Sequence, residues 1–175
     1  MILFLIVIAL LAIFLIFIYN SFIQLANKTN EAWSDISAQL KRRYDLIPNL
    51  VSVVQVYASH EKQVFQEVTD ARVKALNASS TYDKGVADNG VRDALVKILA
   101  VAENYPELRA SENFLKLQQE LTDTENKIEA ARRFYNGNVR NLNTQLEVFP
   151  NNLLAAILNF KKRDFFQLDQ ESANE

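Results

Sequence analysis

Apolar residues fill positions 1–19 without interruption, MILFLIVIALLAIFLIFIY, and no side chain before Lys28 is charged. Beyond that run the pattern narrows to a stripe. Phe22, Leu25, Thr29, Trp33, Ile36 and Leu40 recur at steps of three and four, which places them on one face of a helix continuing from the apolar run. A second stripe holds Ile47, Leu50, Val54, Tyr57, Val64, Val68, Ala71 and Ala75, with Glu61 interrupting it. A third and shorter one holds Val91, Leu95, Ile98 and Ala102. The fourth runs through Phe114, Leu117, Leu121, Thr124, Ile128, Ala131, Tyr135, Leu142 and Phe149, with polar Asn138 in its seam. Spacings near 3.5 residues suit helices packed at shallow angles.

The breaks between stripes predict the connections. Asp45 is placed to cap the second helix, with Pro48 in its first turn, where a missing N–H costs nothing. A kink within one continuous helix is the alternative. A reversal is preferred because it buries both apolar faces. NASSTYDKGVADNG, residues 77–90, is polar with two glycines and reads as the longest loop. Tyr105–Pro106 ends the third helix, Ser111 caps the fourth and Phe149–Pro150 ends it. The expected architecture is all-α: an N-terminal transmembrane helix continuing into an up-and-down antiparallel four-helix bundle. The chain divides into an anchor (1–27), the bundle (28–149), a short apolar and basic segment (150–166) and an acidic tail expected to be disordered (167–175). The up-and-down path returns the end of the fourth helix to the bilayer.

An apolar helix of about 20 residues spans roughly 30 Å of hydrocarbon. A cleaved signal peptide would show a basic start and a small-residue cleavage site; neither is present, so a retained single-pass anchor is expected. Lys28 and then Lys41, Arg42 and Arg43 follow the span, which favours an external N-terminus and a cytoplasmic bundle.

Composition narrows the chemistry. The 175 residues carry a net charge of −2, so no global field draws nucleic acid. The absence of cysteine removes disulfides, thiolate nucleophiles and a lipoprotein anchor. His60 is the single histidine, too few for the paired Glu-x-x-His ligands of a bundle di-metal site. Glu67 with Asp70, and Glu120 with Asp123, are carboxylate pairs that read as solvated helix surface. No nucleophile elbow, P-loop or dinucleotide fingerprint occurs. No cofactor is expected.

Lys41, Arg42 and Arg43, followed by Tyr44 and Asp45, form the sharpest polar cluster. One reading is a helix C-terminus stabilised by its dipole; the other is a basic patch at the membrane-distal tip that docks an acidic partner. Arg132 and Arg133 admit the same two readings, with one of them pairing Glu61 or Glu67 inside the bundle. Asn126, Asn136, Asn138, Asn141 and Asn143 are many amides for one helix, and Asn138 is a candidate register-setting seam residue. Leu153, Leu154, Ile157 and Leu158 precede Phe160, Lys161, Lys162, Arg163, Phe165 and Phe166. Together with Tyr19 these suit a membrane interface. Capping of the bundle base by the leucines is the alternative.

LKRRYDLIPNLV, from Leu40 to Val51, resembles the signature of the LemA family of bacterial membrane proteins. The resemblance continues through Tyr57–Ala58, His60–Glu61–Lys62, Ala71–Arg72, Glu103 to Leu108, Asn113–Phe114 and Leu117–Gln118. It is densest at Glu125 to Ile128 and Ala131 to Asn136, and closes with Asn143, Phe149–Pro150 and Phe160 to Arg163. Leu142 stands where Tyr is expected, and Asn159 where Gly is expected. The resemblance implies a single-span protein with a four-helix bundle and brings no catalytic residues. The resulting expectation is a non-enzymatic interaction or assembly scaffold in the bacterial inner membrane, whose partners are the lipid bilayer and a protein or a second copy. A membrane-remodelling scaffold and, further off, a carboxylate-dependent metal enzyme are the alternatives.

Overall fold

A computed structural model describes residues 1–166. Its elements are α1 (Ile2–Tyr57), α2 (Lys62–Asn77), α3 (Thr81–Glu103), the single turn α4 (Pro106–Arg109), α5 (Glu112–Glu147) and α6 (Asn151–Ile157); among the described residues there is no strand. The predicted all-α class is seen, with a long apolar N-terminal helix running into packed helices. The acidic tail lies outside the described residues.

Side-chain pairings fix the directions. Arg43 meets Glu125 and Trp33 meets Tyr135, so α5 runs antiparallel to α1. Trp33 lies near Lys84 and Arg43 near Asp88, so α3 runs parallel to α1.

The largest departure from the sequence reading is α1 itself. Its 56 residues do not reverse at Asp45; they continue for about 84 Å. Asp45 caps nothing: it is exposed and takes a 2.7 Å bond from Lys41, one turn earlier. Pro48 stands inside the helix, where it cannot donate to the carbonyl of Tyr44. Arg72 of α2 supplies the missing donor, its Nε lying 2.7 Å from Tyr44 O. The reversal comes instead at Ala58–Glu61.

The predicted loop over residues 77–90 is also corrected. Ser80 caps α3, its hydroxyl accepting from Asp83 N at 3.0 Å, so helix begins at Thr81. Gly85 lies inside it and is buried. Tertiary packing outweighs the cost of about 1 kcal/mol for a helical glycine. Ser111 does stand at the N-cap of α5, but its side chain makes no capping bond.

The packed body has two storeys. In the membrane-distal one, Ile36, Leu40, Ile47, Leu50 and Val54 of α1 share a core with Phe65 and Val68 of α2, Val91 and Ile98 of α3, and Leu121 and Ile128 of α5. Trp33 is half-buried against it. In the proximal storey the α2–α3 hairpin is absent. Ile18 and Phe22 of α1 pack on Leu142 and Leu146 of α5, with Ala155 of α6 closing the cluster. The fourth long helix therefore returns to the end of the apolar run. Below it, residues 1–17 are all exposed, as suits a helix whose apolar side chains face lipid on every side.

Candidate functional site

Two constructions organise the polar chemistry, one in each storey.

The distal one is built on Arg43. Its position follows Leu40 by three and precedes Ile47 by four, so it occupies the apolar seam rather than the surface. The side chain is 1% exposed, as is Asp88 of α3. Arg43 donates through Nη2 to Asp88 and through Nη1 to Glu125 of α5. Tyr44 Oη donates to the same Asp88 oxygen at 3.1 Å. One guanidinium thus ties α1, α3 and α5 together. Burial opposes the arginine's charge, but Asp88 and Glu125 outweigh it and hold its pKa above the ordinary value. The Tyr44 hydroxyl is pushed well above the usual range by burial and then by the Asp88 charge beside it. A buried cation with two carboxylates and a phenol is a closed network. Its chemistry is structural, because both Nη groups of Arg43 and the Tyr44 hydroxyl are committed within it, although Arg43 Nε is buried without a partner.

The second construction lies in the groove between α1 and α5, just below the α2–α3 hairpin. Residues 159–166 run back along α5 as an extended strap. Helix α6 ends in paired bonds, Phe160 N to Ala155 O at 2.9 Å and Asn159 N to Ala156 O at 3.3 Å, around Asn159 at φ 55°. This is a Schellman ending, and Asn is the usual substitute for Gly at its left-handed position. Asn143 then grips Arg163 on both sides: Nδ2 donates to its carbonyl and Oδ1 accepts from its N–H, each at 2.9 Å. Asn136 repeats the grip on Phe166, at 3.1 and 2.9 Å. Between the two grips, Tyr135 Oη donates to Asp164 O at 2.9 Å. The registers agree. Seven helical residues rise about 10 Å, and three extended residues cover about 10 Å. Phe166 is fully buried, its ring 5.7 Å from that of Trp33, which also faces Tyr135 at 5.4 Å.

A sequence profile described as "LemA family" matches residues 32–175. The chain belongs to the LemA family. Among similar proteins are magnetosome protein MamQ 1 of Paramagnetospirillum magneticum, 26% identical over 175 residues, and magnetosome protein MamQ of Magnetospirillum gryphiswaldense, 23% identical over 174. Each alignment covers 85% of this chain and 64% of the relative, so the chain spans less than two thirds of those proteins' length. Protein LemA of Metamycoplasma hominis is 26% identical over 152 residues, 86% of this chain and 69% of the relative. Family and relatives agree with the long apolar helix in describing a membrane-associated protein.

The segments that most resemble the LemA signature carry both constructions. Arg43, Tyr44 and Glu125 belong to the distal network, and Tyr135, Asn136 and Asn143 to the strap. Other candidates are placed differently from the sequence reading. The basic triplet does not share one surface. Lys41 is exposed and paired with Asp45; Arg42 is exposed and 3.8 Å from Asp123; Arg43 is interior. The triplet also lies about 20 Å below the membrane-distal end of α1, because that helix does not stop beside it. Arg133 pairs with Glu129 on its own helix at 3.2 Å, and Glu67 with Lys97 of α3 at 2.8 Å, so Arg133 does not make the expected pair with Glu61 or Glu67. Asn138 bonds back to Phe134 O at 3.1 Å and sets no register. Among the described residues no three His, Asp or Glu are grouped to hold a metal.

The membrane-interface candidates also divide. Phe166 is core, and Phe160 is half-buried, 5.1 Å from the Phe22 ring and 6.3 Å from that of Tyr19. Lys161, Lys162 and Arg163 are exposed; Lys162 pairs with Glu147, and Arg163 reaches Asn30 at 3.4 Å. Phe165 is partly exposed. The apolar surface at this level comes from Phe149, Leu153 and Ile157, at 79%, 57% and 78% exposure.

Proposed function

We propose that this protein is a non-enzymatic scaffold, tethered in a bacterial inner membrane with its N-terminus outside and its bundle in the cytoplasm. In this reading it acts by presenting the bundle to a protein partner or to a second copy. The observation that carries the reading is the unbroken α1. A tethered enzyme needs only a leash. A helix that runs from the apolar segment through the bundle without a joint holds the body at one height and orientation, which serves assembly. The exposed pairs at Lys41 and Arg42 are the candidate contact on that body. Photo-crosslinking side chains placed at Arg42, Val86, Val96 and Phe134, one at a time, test this in intact membranes. Adducts of defined mass from one face and none from the opposite face are expected. Absence of an adduct from every position would sink the scaffold.

A membrane-remodelling role is the second reading, favoured by the apolar corner of Phe149, Leu153 and Ile157 level with Ile18. With Tyr19 and Lys161 nearby, that corner makes a second foothold beside the anchor. A fluorophore at Leu153 of the reconstituted full chain should then be quenched by lipid-attached quenchers at interfacial depth. Quenching only by aqueous agents would reject the foothold.

A further inference from the structure

The groove holding the strap recognises a main chain, not a side-chain sequence. Asn136 and Asn143 each take one N–H and one C=O of residues 166 and 163, and Tyr135 takes a third backbone carbonyl. Phe166 supplies a side-chain plug against Trp33 at the far end, and Phe160 packs beside Phe22 where the strap starts. This is β-strand-like recognition transferred to a helix surface: main-chain bonds give affinity and one pocket gives register. Any segment that fits it must be extended and carry an aromatic ring at its far end. Residues 160–166 of an identical chain meet both conditions by construction.

Geometry makes that identical chain reachable. The strap leaves the body at Asn159, a single left-handed residue, so rotation there redirects everything after it. From Asn159 to the first gripped residue, Arg163, it covers about 13 Å when extended, slightly more than the diameter of one helix, about 10–12 Å. The continuous α1 holds every copy in the same membrane at the same height. A strap released from its own groove therefore finds its neighbour's at the right level.

We infer that neighbouring copies join by exchanging straps: residues 160–162 of one chain cross over and residues 163–166 dock in the α1–α5 groove of the next, held by its Asn136 and Asn143. The inference deepens the scaffold reading and rests on it for the shared membrane height. Exchange is a low-cost route to association, because the bonds a strap makes to its own groove are all made again to its neighbour's.

The test uses full-length chains in their own membrane. Asn30 and Arg163 are exposed and adjacent across the groove, and the chain has no cysteine. A copy with Asn30→Cys (the acceptor) and a copy with Arg163→Cys (the donor), bearing different tags, are co-expressed and treated with a short bis-maleimide. Exchange predicts an adduct carrying both tags. Asn136→Asp with Asn143→Asp, placed only in the acceptor, sets a carboxylate oxygen against each strap carbonyl in place of an N–H donor, breaks half of each grip and should lower the mixed adduct about tenfold. The same pair placed only in the donor frees that strap from its own groove and should raise the mixed adduct. Protease resistance of the bundle verifies folding. Asn136→Ser with Asn143→Ser serves as the second pair if the aspartates unfold it. A mixed adduct indifferent to both placements reports proximity alone and overturns exchange. No mixed adduct, with oligomers still trapped by a lysine-reactive crosslinker, overturns exchange and leaves the scaffold reading standing. No oligomer by either reagent overturns exchange; the face-dependent photo-crosslinks then decide separately whether a scaffold for other proteins remains.

Discussion

The two storeys solve the same problem by different means. Both must cover the α1–α5 pair. The distal one does so with the α2–α3 hairpin, a continuous apolar core and a buried arginine shared by three helices. The proximal one does so with a seven-residue helix and an extended strap, fastened by amide-to-backbone bonds at Asn136 and Asn143. The first is held by burial and charge; the second has a smaller buried cluster, and its strap is fastened by hydrogen bonds at a half-exposed surface, with the Phe166 ring plugged into the distal core. Hydrogen bonds of that kind contribute about 1 kcal/mol each after exchange with water. The distal storey should therefore open only with the whole domain, and the proximal one on its own.

The sharpest way to break that contrast is Arg43→Met. It leaves the Asp88 charge buried without a cation, with only the Tyr44 hydroxyl beside it, and should cost about 3–5 kcal/mol in denaturant unfolding of the detergent-solubilised chain. Adding Asp88→Asn should recover part of the loss. If Arg43→Met costs no more than a strap variant, the distal storey is not the stronger one. Next, Leu121→Ala should cost about 2–5 kcal/mol in the same transition, and a melting temperature that ignores it would refute the assigned seam. Leu142→Ala, the same chemistry in the proximal cluster, should instead speed proteolysis after α5 and shift the global midpoint less. A smaller effect is expected for Asn143→Ala, about 1–3 kcal/mol, read as faster hydrogen exchange at the Arg163 and Phe166 amides with no change at Ile98 or Leu121. Equal loss of protection in both places would merge the storeys into one cooperative unit.

The smallest effect is alkaline. Tyr44 has a raised pKa in the folded chain, against about 10 when unfolded. Below pH about 10 both states keep the proton and stability is unaffected. Above it the unfolded phenol ionises first, so stability falls as pH rises. Tyr135 is shifted the same way, chiefly by burial. Tyr44→Phe should flatten the alkaline decline in part, and an unchanged slope would count against the Tyr44–Asp88 contact.

The apolar seams were legible because burial imposes a helical period: Ile36, Leu50, Val54, Leu121 and Ile128 all reach the core. Arg43 carries the same signal, since its spacing from Leu40 and Ile47 sets it in the seam despite its charge. Pro48 misled because its missing bond is repaired from α2, and no local pattern records a donor 24 residues away, as Arg72 is. Residues 77–90 misled for the opposite reason: glycines signal loops locally, while the burial of Gly85 and the ion pair of Asp88 with Arg43 of α1 belong to the assembled fold. The strap left only one trace, two asparagines one heptad apart on α5. An extended segment bound through its own backbone has no period to read.

The bond from Arg72 to the Tyr44 carbonyl gives α1 a conditional stiffness. Alone, a helix with an interior proline has a weak point at the turn before it, where an unpaired carbonyl turns to water and the axis bends. Here the missing donor arrives only when α2 has folded back and docked. Rigidity of the shaft and closure of the bundle are therefore one event. A chain whose hairpin has not closed carries a limp rod above the bilayer, and closing the hairpin locks the rod straight, so that only a finished bundle is held upright.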